Sequence, residues 1–393
     1  MTRIAMIVLH DMAWDRRVDR AASALAEAGH EVAVFCLRGD DLQVTEPRNG
    51  YAIQRVATSA TAPWSRPIAK IAASRRRERE LTEAVAAWGP SIVHCHDLPA
   101  MRPGLKAASR VGARVVYDDH ELFPDSLSQH KWRGLPPVVA YWRWVERACV
   151  PRAVAVITVS PGLADILNER YDCGAIVVPN VPEELLPPCE GSRLRDEYGI
   201  GPDVPVVLYQ GLLLEVGRSL GELVESMQFV PGAVLVVQGT GPGEGAMRAK
   251  VSALGLEDRV VFTGWLPTDE LYSYTCGATV GTVFHDGVTL SHKHAWPNRL
   301  FLYMMAGVPM AVADLPGLAL IAREEGVGVT ATPRDPHSMA AAINWLIEHP
   351  KERALMVDRG RAAAESTYNW DVQKTKLLDL YAGLTGAPTS EIT

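Results

Sequence analysis

Two hydrophobic rhythms alternate along the chain. Residues 4–9 form an unbroken apolar run that stops at His10-Asp11, the pattern of a strand buried on both faces. Val18, Ala21, Ala22, Leu25 and Ala28 then recur at helical spacing until Gly29 ends them, and residues 31–37 make a second apolar run. Further strands are expected at 53–57, 92–95, 114–117, 155–159 and 176–178. After a break they resume at 206–209, 233–238, 260–263, 278–283 and 308–313. Repeated strand–helix–strand units predict an α/β chain whose parallel sheets carry helices on both faces.

Between 183 and 205 the pattern weakens and prolines gather (Pro187, Pro188, Pro202, Pro205), which marks a linker. The expected organisation is a first doubly wound domain at 1–185, a linker at 186–204 and a second at 205–369. An amphipathic helix at 370–385 is expected to pack back on the first domain, and the tail 386–393 to fray. Two such domains place a ligand cleft between the carboxyl ends of both sheets.

The stretch from Leu290 to Pro316 has the densest punctuation. It reads as a polar loop at 291–295, a helix entered through Trp296-Pro297-Asn298, an exit at Gly307 and a buried strand. Free amides at the helix entry, with Arg299 in its first turn, would attract an anion such as a diphosphate. An ordinary strand–helix–strand crossover explains the same pattern.

Composition narrows the classes. At 393 residues the chain exceeds one typical core, which favours two domains. The formal charge of −7 argues against generic nucleic-acid binding. Six scattered cysteines without a CxxC pair read as reduced thiols rather than a disulfide frame or zinc site. The apolar start is too short for a secretory signal and no run reaches the length of a membrane span, so a soluble, cytoplasmic protein is expected. The run Arg75-Arg76-Arg77-Glu78-Arg79 reads as a solvated helix face. Residues 137–150 carry Tyr141, Trp142 and Trp144 among Arg143 and Arg147. That helix could touch a membrane surface, with ordinary core packing preferred.

A set of short motifs runs almost end to end. Asp15-Arg16-Arg17-Val18-Asp19, His94-Cys95-His96-Asp97-Leu98, Tyr117-Asp118-Asp119-His120-Glu121-Leu122-Phe123, Thr158-Val159-Ser160 and Val178-Pro179-Asn180-Val181-Pro182 occupy the first half. Tyr209-Gln210-Gly211, Gly217-Arg218, Gln238-Gly239-Thr240-Gly241-Pro242, Pro297-Asn298-Arg299-Leu300-Phe301-Leu302-Tyr303 and Ala306-Gly307-Val308-Pro309 occupy the second. In this order and spacing the chain resembles the retaining glycosyltransferases of family 4, also called group 1. The resemblance implies the GT-B architecture, two Rossmann-like domains facing across a cleft. It further implies a nucleoside-diphosphate-sugar donor on the second domain, an acceptor on the first, and neither a metal nor another cofactor.

Roles follow residue by residue from that resemblance. Arg218 and Arg299 would neutralise the leaving diphosphate, with Gly211, Asn298 and the amides near Leu300 completing a cradle. Gly239 and Thr240 would line the base or ribose pocket, although a simple turn explains the glycines equally well. His120 would face the reacting sugar; Asp15, Arg17, Glu121 and His294 are acceptor-side candidates, with Asp15 also suited to cap the first helix. No general base is needed if the leaving phosphate takes the acceptor proton.

Two positions depart from the family pattern. The family's two glutamates, eight positions apart, fall here on His294 and Leu302. Losing a carboxylate that accepts ribose hydrogen bonds should cost about 1.5–3 kcal/mol per bond. Thr240, Glu215 or the Ser291-His292-Lys293-His294 segment could compensate. An unusual donor or acceptor, or a non-catalytic sugar-nucleotide-binding relative, would fit this departure; nothing in the sequence favours an epimerase or a dehydrogenase.

Overall fold

The computed structural model describes residues 1–13, 15–39, 42–58, 67–127, 135–267 and 269–386. The expected fraying tail, beyond Gly386, lies outside the described residues. The chain forms two compact units: Met1–Val178 with the chain from Gln373 onward, and Pro179–Val372.

Unit 1 is built on eight strands: β1 (Arg3–Ile7), β2 (Glu31–Arg38), β3 (Thr45–Arg48), β4 (Tyr51–Thr58), β5 (Ile92–His96), β6 (Arg114–Asp119), β7 (Ala155–Thr158) and β8 (Ile176–Val177). Their spatial order is β3-β4-β2-β1-β5-β6-β7-β8, with β3 antiparallel to β4 and every other pair parallel. The order reverses between β1 and β5, so loops leaving these central strands converge at their carboxyl ends. Ile4, Met6 and Ile7 in β1 are fully buried, as a strand covered on both faces requires.

Unit 2 carries six parallel strands: β9 (Val206–Gln210), β10 (Val234–Gln238), β11 (Val260–Gly264), β12 (Val280–Val283), β13 (Met310–Ala313) and β14 (Gly328–Ala331). Their order is β11-β10-β9-β12-β13-β14, which puts the reversal between β9 and β12. Gly211 follows β9 and His285 follows β12, so both lie at this switch point.

Several expectations change. The expected linker at 186–204 belongs to unit 2: Leu194, on the helix Arg193–Tyr198, is fully buried in its core. A six-residue helix shows too little periodicity to be read among prolines. The expectation of six reduced cysteines is also overturned, because Cys189 and Cys276 form a disulfide, while Cys36, Cys95, Cys149 and Cys173 are free. Sequence spacing cannot show that residues 87 apart meet. The polar loop at 291–295 is mostly helical, Leu290–His294, capped by the Thr289 hydroxyl on the His292 amide. Pro297 stands at the N-cap of the helix Asn298–Ala306, and Gly307 closes it in the left-handed region at φ 66°.

The aromatic helix, Pro136–Cys149, is not buried as preferred. Val145, Glu146 and Cys149 face inward, while Trp144 is 64% exposed and Tyr141 40%. Arg75, Arg76 and Arg79 are exposed on the helix Pro67–Trp88, as a solvated face requires. Among the described residues no helix is long and apolar enough to cross a membrane.

Candidate functional site

In unit 2, cationic side chains converge on the turn after β9. Gly211 has φ 140°, and a Cβ built there would lie 2.9 Å from Arg299 Nη1 and 3.1 Å from Arg218 Nη1. Both guanidinium groups therefore flank one glycine, which has to lack a side chain for them to approach. Arg299 is buried: Nη1 donates to the Gln210 carbonyl at 2.7 Å, and its carbon lies 5.2 Å from the Tyr209 ring centroid. Its Nε and Nη2 are buried without a partner in the protein, as are Ser219 Oγ and His285 Nδ1. Buried donors left unpaired cost free energy, so such a group is a pointer to a ligand.

The same turn is fastened from two sides. Asp286 accepts from the Gly217 amide at 3.0 Å and pairs with His292 Nδ1 at 2.8 Å, which fixes the imidazole beside the residue preceding Arg218. His285 lies 5.2 Å from the His292 ring. Burial, reinforced by the charges of Arg299, His292 and Arg218, holds its pKa well below the usual histidine value. His285 is thus a neutral ring beside fixed cations. On the other side, a Cβ at Gly239 would lie 2.0 Å from the Gly211 carbonyl oxygen, and one at Gly241 2.3 Å from that of Leu213. The Leu213 amide donates to the Thr240 carbonyl. The glycines of this run let the two loops pack backbone to backbone.

Unit 1 gathers a second cluster at the ends of β5 and β6. His94 and His96 alternate onto one face of β5, and register sets His96 beside Asp118. Arg17 clasps Asp118 with two bonds, Nε to Oδ2 at 2.9 Å and Nη2 to Oδ1 at 2.6 Å, and donates Nη1 to the Val178 carbonyl. Asp118 Oδ2 also lies 3.3 Å from His96 Nδ1 and 3.4 Å from His120 Nε2. Asp97, at φ 63°, accepts from the His120 amide at 3.3 Å and lies 3.6 Å from its Nδ1.

The electrostatics of this cluster assign charges. Burial opposes ionising Asp118, but the Arg17 guanidinium and His120 outweigh it and hold the carboxyl well below its usual range. Burial likewise opposes a charged His120, yet the Asp97 and Asp118 carboxylates raise it to about 9. Burial pushes His96 down to about 3. His120 is therefore an imidazolium at neutral pH, against neutral His94 and His96. Asp119, on the opposite face of β6, is pushed well above its usual range by burial and accepts from the Tyr117 hydroxyl at 2.5 Å.

His94, His96 and Asp118 could together ligate a metal ion, the one such group among the described residues. The fit is poor. Arg17 already spans both oxygens of Asp118, and His120 adds a second resident cation, so a divalent ion would have to displace one and face the other.

The candidates read from sequence therefore divide. Arg218, Arg299 and Gly211 come together in unit 2, while the glycines at 239 and 241 serve loop packing and Thr240 is exposed. Asn298 is exposed at the start of its helix. Leu300 does not offer a free amide, because its N–H donates to the Pro297 carbonyl and its side chain is fully buried. His294 is half-buried at the end of the short helix. In unit 1, Asp15 caps the helix Arg16–Glu27 through the Val18 amide and pairs with His10 at 2.9 Å. Burial favours a neutral Asp15, but those bonds hold its pKa far below the usual carboxylate range. Arg17 is buried, and Asp118 and the Val178 carbonyl take three of its five N–H donors. Glu121 is exposed and accepts from Ser126. His94, His96, Asp97 and Asp118 stand within the motifs read from sequence without a role assigned to them, and His285 stands outside those motifs.

Comparison with known proteins follows the same division. A D-inositol 3-phosphate glycosyltransferase of Acidothermus cellulolyticus is 27% identical over 231 residues, covering 56% of this chain. The aligned region spans 50% of that relative's length. A solved sucrose-phosphate synthase from Thermosynechococcus elongatus superposes with a TM-score of 0.85 at 21% identity, covering 99% of this chain and 100% of that one. Anabaena HepE in complex with UDP and glucose gives 0.76 at 15% identity, over 98% of this chain and 100% of that one. These structures share the two-sheet GT-B fold. The family model for Glycosyltransferase Family 4 matches residues 15–181 and that for Glycosyl transferases group 1 matches residues 192–363, so the chain belongs to the group 1, family 4 glycosyltransferases.

Proposed function

We propose that this protein is a retaining, metal-independent glycosyltransferase that moves a sugar from a nucleoside diphosphate to a small-molecule acceptor. The observation that carries the reading is the convergence of Arg218 and Arg299 on Gly211, with two buried donors of Arg299 left without a protein partner. A diphosphate would take those donors and gain charge as it leaves, so both arginines would stabilise the transition state more than the ground state. In the reaction the bond from the anomeric carbon to the phosphate oxygen breaks. The bond to the acceptor oxygen forms on the same face, and the acceptor proton passes to the departing phosphate. On the family resemblance His120 is assigned to the reacting sugar; as an imidazolium it would donate a hydrogen bond to a sugar hydroxyl. The poor fit of His94, His96 and Asp118 to a cation supports metal independence.

The donor base is the first thing to measure. Thermal unfolding with UDP, GDP, dTDP and ADP, each alone, is expected to show one that raises the midpoint as ligand exceeds Kd. Arg299→Ala should weaken that nucleotide at least tenfold; an unchanged affinity would remove the phosphate seat. Turnover should persist in excess EDTA, and the product anomer should match the donor's by NMR.

A second reading, a sugar-nucleotide binder without turnover, is favoured by Leu302, half-buried where relatives place a carboxylate. Nucleotide binding without release of nucleoside diphosphate from any sugar nucleotide would establish it.

A further inference from the structure

We infer that the outer face of the helix Pro136–Cys149 docks unit 1 on an anionic phospholipid surface. This face lies outside the clusters described above and the inference does not depend on the proposed activity. Trp144 and Tyr141, one turn apart, are 64% and 40% exposed with ring centroids 6.2 Å apart. Tyr141 packs edge-on against Trp142, which packs edge-on against Phe123, and Leu135 at the helix entry is 46% exposed. Large aromatic side chains are normally buried, so a projecting Trp–Tyr pair asks for an occupant.

Charge identifies the occupant. Arg143 is 54% exposed on the same turn as Trp144, and Arg147 is exposed one turn further. Lys106 and Arg102 extend the cationic border, and Arg102 donates to the Tyr141 hydroxyl. The acids that partner Arg143, Arg102 and Lys106 lie inward: Asp125 is 9% exposed and Glu78 15%, and Glu146, the partner of Arg170, is 2% exposed. Arg143, Arg147 and Arg170 also line a groove of about 800 Å³, whose outward acids are Glu169 and Asp172. Aromatic rings at headgroup depth, with arginines reaching phosphates beside them, are the pattern of a helix lying in a membrane interface. Pairing of this face with itself in a two-fold dimer would bring Arg143 and Arg147 against like charges. The formal charge of −7 argues against a nucleic acid as the occupant.

The test is co-sedimentation of the full chain with phosphatidylcholine vesicles and with vesicles containing 30% phosphatidylglycerol. Binding is expected to the anionic vesicles only and to be released by 0.5 M salt. Trp144→Ala with Tyr141→Ala, and separately Arg143→Gln with Arg147→Gln, should each lower the partition coefficient at least fivefold without moving the thermal unfolding midpoint. No binding to anionic vesicles, or equal binding by both variants, would overturn the inference. So would a Trp144-dependent dimer in sedimentation, or Trp144-dependent binding to single-stranded RNA.

Discussion

His120 carries a charge that its neighbours set. Its folded pKa, about 9, exceeds the usual histidine value because Asp97 and Asp118 outweigh burial. The stabilisation it contributes is fully present below the unfolded pKa, about 6.5, and is lost as pH rises through the folded one. The unfolding midpoint should therefore fall between pH 7 and pH 9.5. In Asp97→Asn that decline should be flatter and the His120 ring should titrate at lower pH by NMR; an unchanged titration would show that Asp97 does not hold the charge. Asparagine is isosteric with aspartate and meets the same backbone strain at φ 63°, so this variant isolates the carboxylate from the backbone. Part of this scale was legible in the sequence. Arg218 and Arg299 could be named from the motif order, and His120 from its place after a strand. Asp118 and His96 stand in those motifs too, but their contact is not legible, because it depends on how β5 pairs with β6. The partner of Arg17 is hidden for the same reason: a sequence shows an arginine entering a helix, not the carboxylate a hundred residues away that it clasps.

At the level of elements, the strands were legible because parallel strands covered on both faces must be continuously apolar. What escaped were elements with no such requirement. β3 (Thr-Glu-Pro-Arg) is a polar edge strand, β14 is four residues long, and Leu290–His294 is too short for a helical period to appear. The glycine run after β10 reads from sequence as a nucleotide pocket or a simple turn, and the structure adds that its glycines allow two loops to touch. Gly239→Ala should therefore act structurally. Its Cβ would fall 2.0 Å from the Gly211 oxygen, at φ 134°, so the backbone itself must shift. Overpacking of this kind typically costs about 1–3 kcal/mol. Urea unfolding should show a loss in that range, and nucleotide affinity should fall with it because both guanidinium groups flank Gly211. Retention of wild-type stability and affinity would refute the close-packing account.

At the scale of the whole chain, the boundary between the units falls at the Val178-Pro179-Asn180-Val181-Pro182 motif rather than in the longer proline-rich stretch that follows. Proline density suggested a linker near 186–204, yet the division falls at Val178 and Pro179, and the proline-rich segment is held inside unit 2 by Leu194 and the Cys189–Cys276 disulfide. Such a cross-link, between residues 87 apart, restricts the unfolded chain and is typically worth about 2–4 kcal/mol. Cys189→Ser, or reduction, should lower the stability of unit 2 by that amount while leaving unit 1 untouched. The return of the chain to unit 1 rests on different physics. In the helix Trp370–Thr385, Tyr381 is fully buried and its hydroxyl pairs with His94 Nδ1 at 2.7 Å. Whichever partner donates, removing the hydroxyl leaves a buried imidazole nitrogen unpaired, beside an Nε2 that already has no hydrogen bond. Tyr381→Phe should cost about 1–3 kcal/mol, the penalty of an unsatisfied buried polar group. Hydrogen exchange can locate that loss: protection should fall across β1 and β5, the central strands of unit 1, and stay constant across β9 and β12. Equal loss in both units would mean that they unfold as one cooperative body, and loss in neither that the hydroxyl contributes nothing.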